Sequence, residues 1–232
     1  VTDSPQPRRL RLSKDLVLSR AVQLADEIGV GGLTIRRLAQ ELDVVPMALY
    51  KHVSSKEELL QGMVDTIIRE ISPIDSELPW REAATARIHA ARRSLQRHSW
   101  ARAVIETRTT KTEAVLDYLE SFTAIFLAAG FSADLTHHAL HAIGGRMWGF
   151  TQELFDESAQ PPSALTPEEQ EAMVGAMARR YPSILRVATA SPHDETTVVS
   201  RGCDDEFEFD FALDLIFDSL ERRRKAGWSS AR

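Results

Sequence analysis

Apolar residues recur at three- and four-residue spacing along most of the chain. No β-branched alternation lasts long enough to anchor a sheet; Thr196 to Ser200 is the longest such run. Leu16, Ala21, Leu24, Ala25 and Ile28 share a helical face behind a Ser13 cap, and Gly29 with the Gly31-Gly32 pair marks that helix's end. Thr34 caps a short helix through Glu41, and a second short helix is predicted from Val45 to His52. Ser55 with Glu58 reads as a capping box ahead of Leu59, Leu60, Met63, Val64, Ile67, Ile68 and Ile71. Ser72-Pro73 stops this helix, leaving 72–79 as a connector. No proline occurs from Trp80 through Gln160, so helices are predicted over 80–98, 101–109, 111–129 and 132–156. A proline-containing loop over 158–165 leads to Thr166-Pro167-Glu168-Glu169, a cap, a first-turn proline and two acids, which opens a helix ending near Tyr181-Pro182. Residues 191–202 read as a mobile loop. The last helix, 204–225, is acidic at its start and basic at its end, as the helix dipole prefers. The class is all-α.

Composition narrows the function classes. With 43% hydrophobic and 27% charged residues in 232, the chain is expected to fold around a real core. No apolar run is long enough to span a bilayer, and the polar, proline-containing start lacks the apolar stretch of a secretory signal. One cysteine, Cys203, leaves no disulfide and no cysteine zinc cluster. A cytoplasmic protein without a cofactor is the expectation. The formal net charge of -6 argues at first against a nucleic-acid partner. Its distribution argues otherwise: residues 1–56 hold nine basic and six acidic side chains, +3, which leaves -9 for 57–232. A small basic head on an acidic body fits this pattern, as does chance clustering on a solvated surface.

The segment Leu33 to Lys56, LTIRRLAQELDVVPMALYKHVSSK, holds two short helices around Leu42-Asp43-Val44. Leu38, Ala39, Leu42, Val44 and Leu49 are spaced to pack the pair on the first helix, and Asp43 falls where a left-handed or turn conformation is needed. This is a helix-turn-helix pattern, whose last helix enters the DNA major groove. The run Leu33-Thr34, Leu38-Ala39, Leu42, Val44, Ala48-Leu49-Tyr50-Lys51-His52-Val53 and Lys56-Glu57-Glu58-Leu59-Leu60 strongly resembles the TetR family of bacterial transcriptional regulators. Trp80-Arg81-Glu82, Arg97-His98-Ser99-Trp100 and Phe209 to Ile216 resemble the family's tetracycline-repressor-like C-terminal domain. Asp43, where the family's turn most often has glycine, and Pro46 depart from the pattern without disturbing the fold.

The resemblance implies a basic arm over 1–12, a DNA-binding domain over 13–56 and a regulatory, ligand-binding and dimerisation domain over 57–232, with 57–71 as the linking helix. It also implies a homodimer that engages a near-palindromic operator in double-stranded DNA. Thr34 and Arg36 are then contacts to phosphate or base edges, Pro46, Met47 and Ala48 face the groove, and Tyr50, His52 and Lys56 fix register. Ordinary surface roles for Arg36 and Arg37, and packing roles for Met47 and Tyr50, stay open. Arg8, Arg9 and Arg11 read equally as a phosphate-tracking arm or a solubilising tail.

In the C-terminal part, His137, His141, Gly145, Trp148, Gln152 and Phe155 share one helical face beside a stripe of Leu140, Ile143, Met147, Thr151 and Leu154. The last helix has Phe209, Leu213, Ile216 and Leu220 beside Phe207, Phe211 and Leu215. Candidate ligand-lining residues are Trp100, Phe122, Phe126, His141, Trp148, Gln152 and Phe155, suited to an apolar or aromatic effector with hydrogen-bonding groups; each also reads as simple core. Family likeness places the dimer interface on these two helices, at Leu140, Met147, Phe209, Leu213, Ile216 and Leu220. His137 and His141 have metal-compatible spacing, but no glutamate follows either one and no cysteine is near, so no metal is expected. The leading expectation is a ligand-released repressor rather than an enzyme. A helical metal-dependent enzyme using His137 and His141, and an activator or architectural binder sharing the DNA head, are the alternatives.

Overall fold

The computed structural model describes residues 11–71, 77–108, 111–148, 166–188 and 205–231, and all regular structure among them is helical. The loops at 158–165 and 191–202, most of the basic arm, and Gln152 and Phe155 lie outside the described residues. The described residues fall in two compact units, one within Val1–His141 and Leu220–Arg232, the other within Ala142–Ser219. Among them no helix is long and apolar enough to cross a membrane.

The first unit begins with α1 (Lys14–Gly32), whose Ser13 cap accepts from the Leu16 amide at 3.2 Å. Gly29 takes φ 74°, breaking helical geometry inside α1 where the sequence marked its end. Helix α2 (Ile35–Glu41) is capped by Thr34, which accepts from the Arg37 amide at 3.1 Å. Asp43 then adopts φ 51°. Its amide donates to Gln40 O at 3.1 Å and that of Val44 to Ala39 O at 3.0 Å, the paired bonds of a Schellman turn with a non-glycine residue in the left-handed position. Such a residue costs about 1 kcal/mol relative to glycine.

Helix α3 (Pro46–Leu49) has proline in its first turn and is shorter than the predicted 45–52. Leu49 O is taken by both the His52 and Val53 amides, at 2.8 and 3.0 Å, so Tyr50 to His52 form a turn. In α4 (Lys56–Arg69) the capping box is half closed: Ser55 Oγ accepts from the Glu58 amide at 3.1 Å. The Glu58 carboxylate instead accepts from Ser54 N and Oγ, at 2.8 and 2.6 Å.

The core of the reading head does not close at residue 56. Leu24, Leu38 and Leu49 are buried together with Leu59, Met63 and Ile67 of α4 and with Trp100, Ala101 and Val104. At Gly62 of α4 the Leu18 side chain of α1 packs on the backbone, since a Cβ there would stand 2.6 Å from Leu18 Cδ2. Helices α5 (Trp80–Arg97), α6 (Ala101–Glu106) and α7 (Glu113–Ala128) follow, and α8 spans Ala133–Trp148. An aromatic cluster centres on Phe126, whose ring centroid lies 5.8, 5.5 and 5.4 Å from those of Trp80, Phe122 and Phe131.

In the second unit α9 (Pro167–Arg180) carries the complete capping box of Thr166 and Glu169. A short helix follows that the sequence reading left out, α10 (Pro182–Ala188), with Pro182 as its first residue. On α11 (Asp205–Lys225) Phe209, Leu213 and Phe217 are buried, and Phe207, Phe211 and Leu215 are exposed. The Arg146 guanidinium lies 4.9 Å from the Phe209 ring centre.

Candidate nucleic-acid interface and regulatory cavity

Helix α3 presents its first turn to solvent. Met47 is 70% exposed and Val45 67%, with Pro46 and Tyr50 also exposed and Ala48 and His52 half-buried. Exposed apolar side chains at a helix start have no folding role; they fit thymine methyl groups or base edges. Val45 and exposed Lys51 belong to this surface and were not singled out from the sequence; their signal was position beside the short helix, not residue type.

The basic excess of the head divides in two. Arg20 and Arg37 both bind Glu41, at 2.8 and 2.9 Å, and Lys14 binds Glu58 at 2.6 Å. Lys14, assisted by Ser54, holds the Glu58 carboxyl well below its usual range, at about 2. Arg20, foremost, and Arg37 likewise lower that of Glu41. Lys14 and Arg20 fasten α1 to α4 and α2, and Arg37 pairs with Glu41 within α2. Thr34, Arg36, Lys51 and Lys56 are exposed, and among the described residues no acid pairs with Arg36, Lys51 or Lys56. Their charges remain available to phosphates.

Beyond the head, the first unit contains a cavity of about 720 Å³. Ile68 and Ile71 at the end of α4, Trp80, Ala83 and Arg87 of α5, and Tyr118 and Ser121 of α7 form its wall. Among the described residues, the candidates Trp100, Phe122, Phe126 and His141 do not border this space. Trp100 is buried in the head core and its indole Nε1 donates to Asp26 Oδ1 at 2.7 Å. Phe122 and Phe126 are turned into the aromatic cluster. His141 is exposed on α8, with its ring 4.6 Å from that of His137. The Trp148 backbone is helical, and Gln152 and Phe155 lie outside the described residues. Among the described residues no group of three or more His, Cys, Asp or Glu is placed to hold a metal, which gives the His137–His141 enzyme reading no support.

The residues expected at a dimer interface are largely used within the chain. Phe209, Leu213 and Leu220 are buried, and Leu140, Met147 and Ile216 half-buried. The neighbouring α11 stripe, Phe207, Phe211 and Leu215, is the one left at the surface. Likewise on α8, Ile143 is fully buried and Gly145 exposed. Within the chain, packing thus buries Phe209, Leu213 and Leu220 of the expected stripe and leaves Leu140, Met147 and Ile216 half-buried.

A buried histidine, missed from the sequence, joins head and body. His98, at the end of α5, sits with Nδ1 2.9 Å from Asp26 Oδ1 on α1 and Nε2 3.2 Å from Glu70 Oε2 at the end of α4. Which of the two ring nitrogens donates depends on the imidazole tautomer. Arg97 also donates to Glu70, at 3.2 Å. Replacing His98 by Ala leaves two carboxylates facing a vacated site, and both are partly exposed to water. The expected loss is about 1–3 kcal/mol in urea unfolding, with His98→Gln recovering part of it. A loss smaller than about 0.5 kcal/mol contradicts this role.

The bacterial regulatory proteins, tetR family model matches residues 17–63, and the tetracyclin repressor-like, C-terminal domain model matches 72–224. The HTH-type transcriptional repressor DrrR1 of Streptomyces coeruleorubidus is 30% identical over 215 residues, covering 90% of this chain and 77% of that protein. An HTH-type transcriptional regulator of Saccharopolyspora erythraea is 36% identical over 121 residues, which is 52% of this chain, and the match spans about half of that relative, 51%. The crystal structure of Mycobacterium smegmatis BioQ aligns with TM-score 0.61 at 25% identity, covering 90% of this chain and 98% of that one. BioQ with its natural double-stranded DNA operator aligns at 0.58, also at 25% identity, over 90% of this chain and 98% of that one. With both halves matched, this chain belongs to the tetR family of bacterial regulatory proteins and is a transcriptional regulator built from an N-terminal helix-turn-helix head and a helical C-terminal domain.

Proposed function

We propose that this chain is a one-component repressor that binds a palindromic operator as a homodimer and is released by a small molecule held in the α4–α5–α7 cavity. The observation that carries the reading is the double use of α4. Its Leu59, Met63 and Ile67 belong to the core of the reading head, while its Ile68, with Ile71 just beyond its end, lines the cavity. Polar ties hold the same helix to the body: Ser94 Oγ donates to Ile67 O at 3.2 Å, and Thr112 Oγ1 to Asp65 Oδ1 at 2.6 Å. A ligand that displaces the end of α4 moves the head with it, because a packed core shifts as a body and does not deform freely. Ligand and operator then weaken each other's binding by the same factor.

The operator contacts are Thr34, Arg36, Pro46, Met47, Ala48, Tyr50, His52 and Lys56, to which the exposed surface adds Val45 and Lys51. The similarity to DrrR1, named as a repressor, and to BioQ, solved with its operator, supports the direction of control and the mode of DNA binding. Neither relative supports the activator alternative. Regulation of this kind places the protein in the cytoplasm, with the chromosome. Arg36→Ala and Lys56→Ala are each expected to weaken operator binding about 3- to 10-fold and to lower the salt slope by about one. Fluorescence anisotropy with DNA from beside its own gene measures both. Unchanged affinity in both variants rules out this contact surface.

A further inference from the structure

We propose that the cavity selects flat, mainly apolar molecules that carry one ionised acidic oxygen group, a carboxylate or an acidic phenol or enol, set against Arg87 and Tyr118. The inference rests on the cavity being the effector site and adds the chemistry of its occupant.

Most of the wall is apolar, and the Trp80 indole offers a flat surface for a ring to lie on. At about 720 Å³ the space suits a drug-sized molecule. The polar groups differ in depth. Arg87 is only 7% exposed, whereas Asp117 and Arg69, which also border the cavity, are exposed. The charge that a ligand meets away from water is therefore positive.

The Arg87 guanidinium donates to Ser121 Oγ at 2.7 Å and to Ile71 O at 3.5 Å. It lies 4.6 Å from the Tyr118 ring centre. Tyr118 borders the same wall, and its hydroxyl is buried with no hydrogen-bond partner among the described residues. Burial pushes the phenol pKa up, so the hydroxyl keeps its proton and serves as a donor. Burial also lowers the Arg87 pKa, the direction expected for a cation that an anion would stabilise. A shielded phenol without an acceptor is costly, and an oxygen anion beside Arg87 supplies that acceptor. A basic ligand would meet a buried like charge, and its attraction to exposed Asp117 would be screened by water.

The test compares anthracene-2-carboxylate with anthracene-2-carboxamide, which share a ring system and differ in charge. Binding to the full chain is measured by calorimetry near pH 7.5. The carboxylate is expected to bind at least about tenfold more tightly. Tyr118→Phe is expected to weaken the carboxylate about 3- to 10-fold, and Arg87→Met to bring the two probes within about twofold. Thermal melting confirms that each variant folds; should Arg87→Met not fold, the wild-type comparison and Tyr118→Phe decide. Equal binding of the two probes, binding of neither at 1 mM (about 4 kcal/mol), or a preference untouched in Tyr118→Phe overturns the proposal. Operator affinity is read in the same samples. Preferential carboxylate binding that leaves DNA affinity unchanged contradicts ligand release while upholding the ligand class. Release by the amide as readily as by the acid does the reverse.

Discussion

Truncating Phe126 to alanine is expected to destabilise the chain by about 3–5 kcal/mol, the range for removing a buried aromatic ring. Phe126 is fully buried and touches rings on three sides, from Trp80, Phe122 and Phe131. It also closes the end of α7: the Phe131 amide donates to Phe126 O at 3.1 Å across Gly130, whose φ is 81°. The two side chains that flank this turn meet edge to face, so one residue serves both the cap and the core. Urea unfolding checks the magnitude. The variant also separates two roles for this residue, since a ligand-lining Phe126 would lose effector affinity on truncation and little stability. A loss below about 1 kcal/mol contradicts its place as a structural pillar. Trp80, which borders the cavity and packs against Phe126 with its ring tilted by 47°, is expected to shift in the variant, so ligand binding weakens as a secondary effect.

Phe211→Asp is expected to turn the proposed homodimer into monomers and to reduce operator affinity by about 100-fold or more, because each head then binds its half-site without the effective concentration its tether supplies. Phe207, Phe211 and Leu215 are spaced four apart on α11, exposed, with the two phenylalanine rings stacked 6.4 Å apart. If that stripe forms the proposed dimer contact, an aspartate in its middle places a desolvated charge there. Light scattering during gel filtration gives the mass, and anisotropy gives the DNA affinity. Phe209→Ala is the matched control. Phe209 is buried and lies against Arg146, so this change is expected to lower folding stability while leaving the dimer contacts in place. A Phe211→Asp protein that stays dimeric at micromolar concentration contradicts the assignment of the stripe.

The contrast between Phe209 and Phe211 also shows where sequence reading stops. Helix caps depend on a few adjacent residues, so Ser13, Thr34, Ser55 and Thr166 marked their helix starts correctly. Asp43 was legible for the same reason, because the left-handed turn is set by local backbone geometry. On α11, by contrast, two apolar stripes run side by side, and periodicity cannot say which one meets the chain's own core. The nearby Arg146 and the burial of Leu213 and Phe217 settle it for Phe209. The cavity was missed because residue type pointed to large aromatics, whereas empty space lies beside small ones such as Ala83 and Ala114. Phe122 and Phe126 are instead buried against each other in the aromatic cluster. His98, Asp26 and Glu70 are far apart in sequence and carry no spacing signal; only the packing of α5 against α1 and α4 brings them together. The charge split was legible but coarse, since Lys14, Arg20 and Arg37 count toward the basic head while being bound to its own acids.

The most direct measurement is an anisotropy titration of the full chain against DNA from beside its own gene, at about 0.15 M salt where nonspecific attraction to phosphate is screened. The expected result is saturable, sequence-selective binding at two protomers per palindromic site, lost when the half-sites are scrambled. Absence of binding, or equal affinity for scrambled DNA, contradicts an operator-binding regulator.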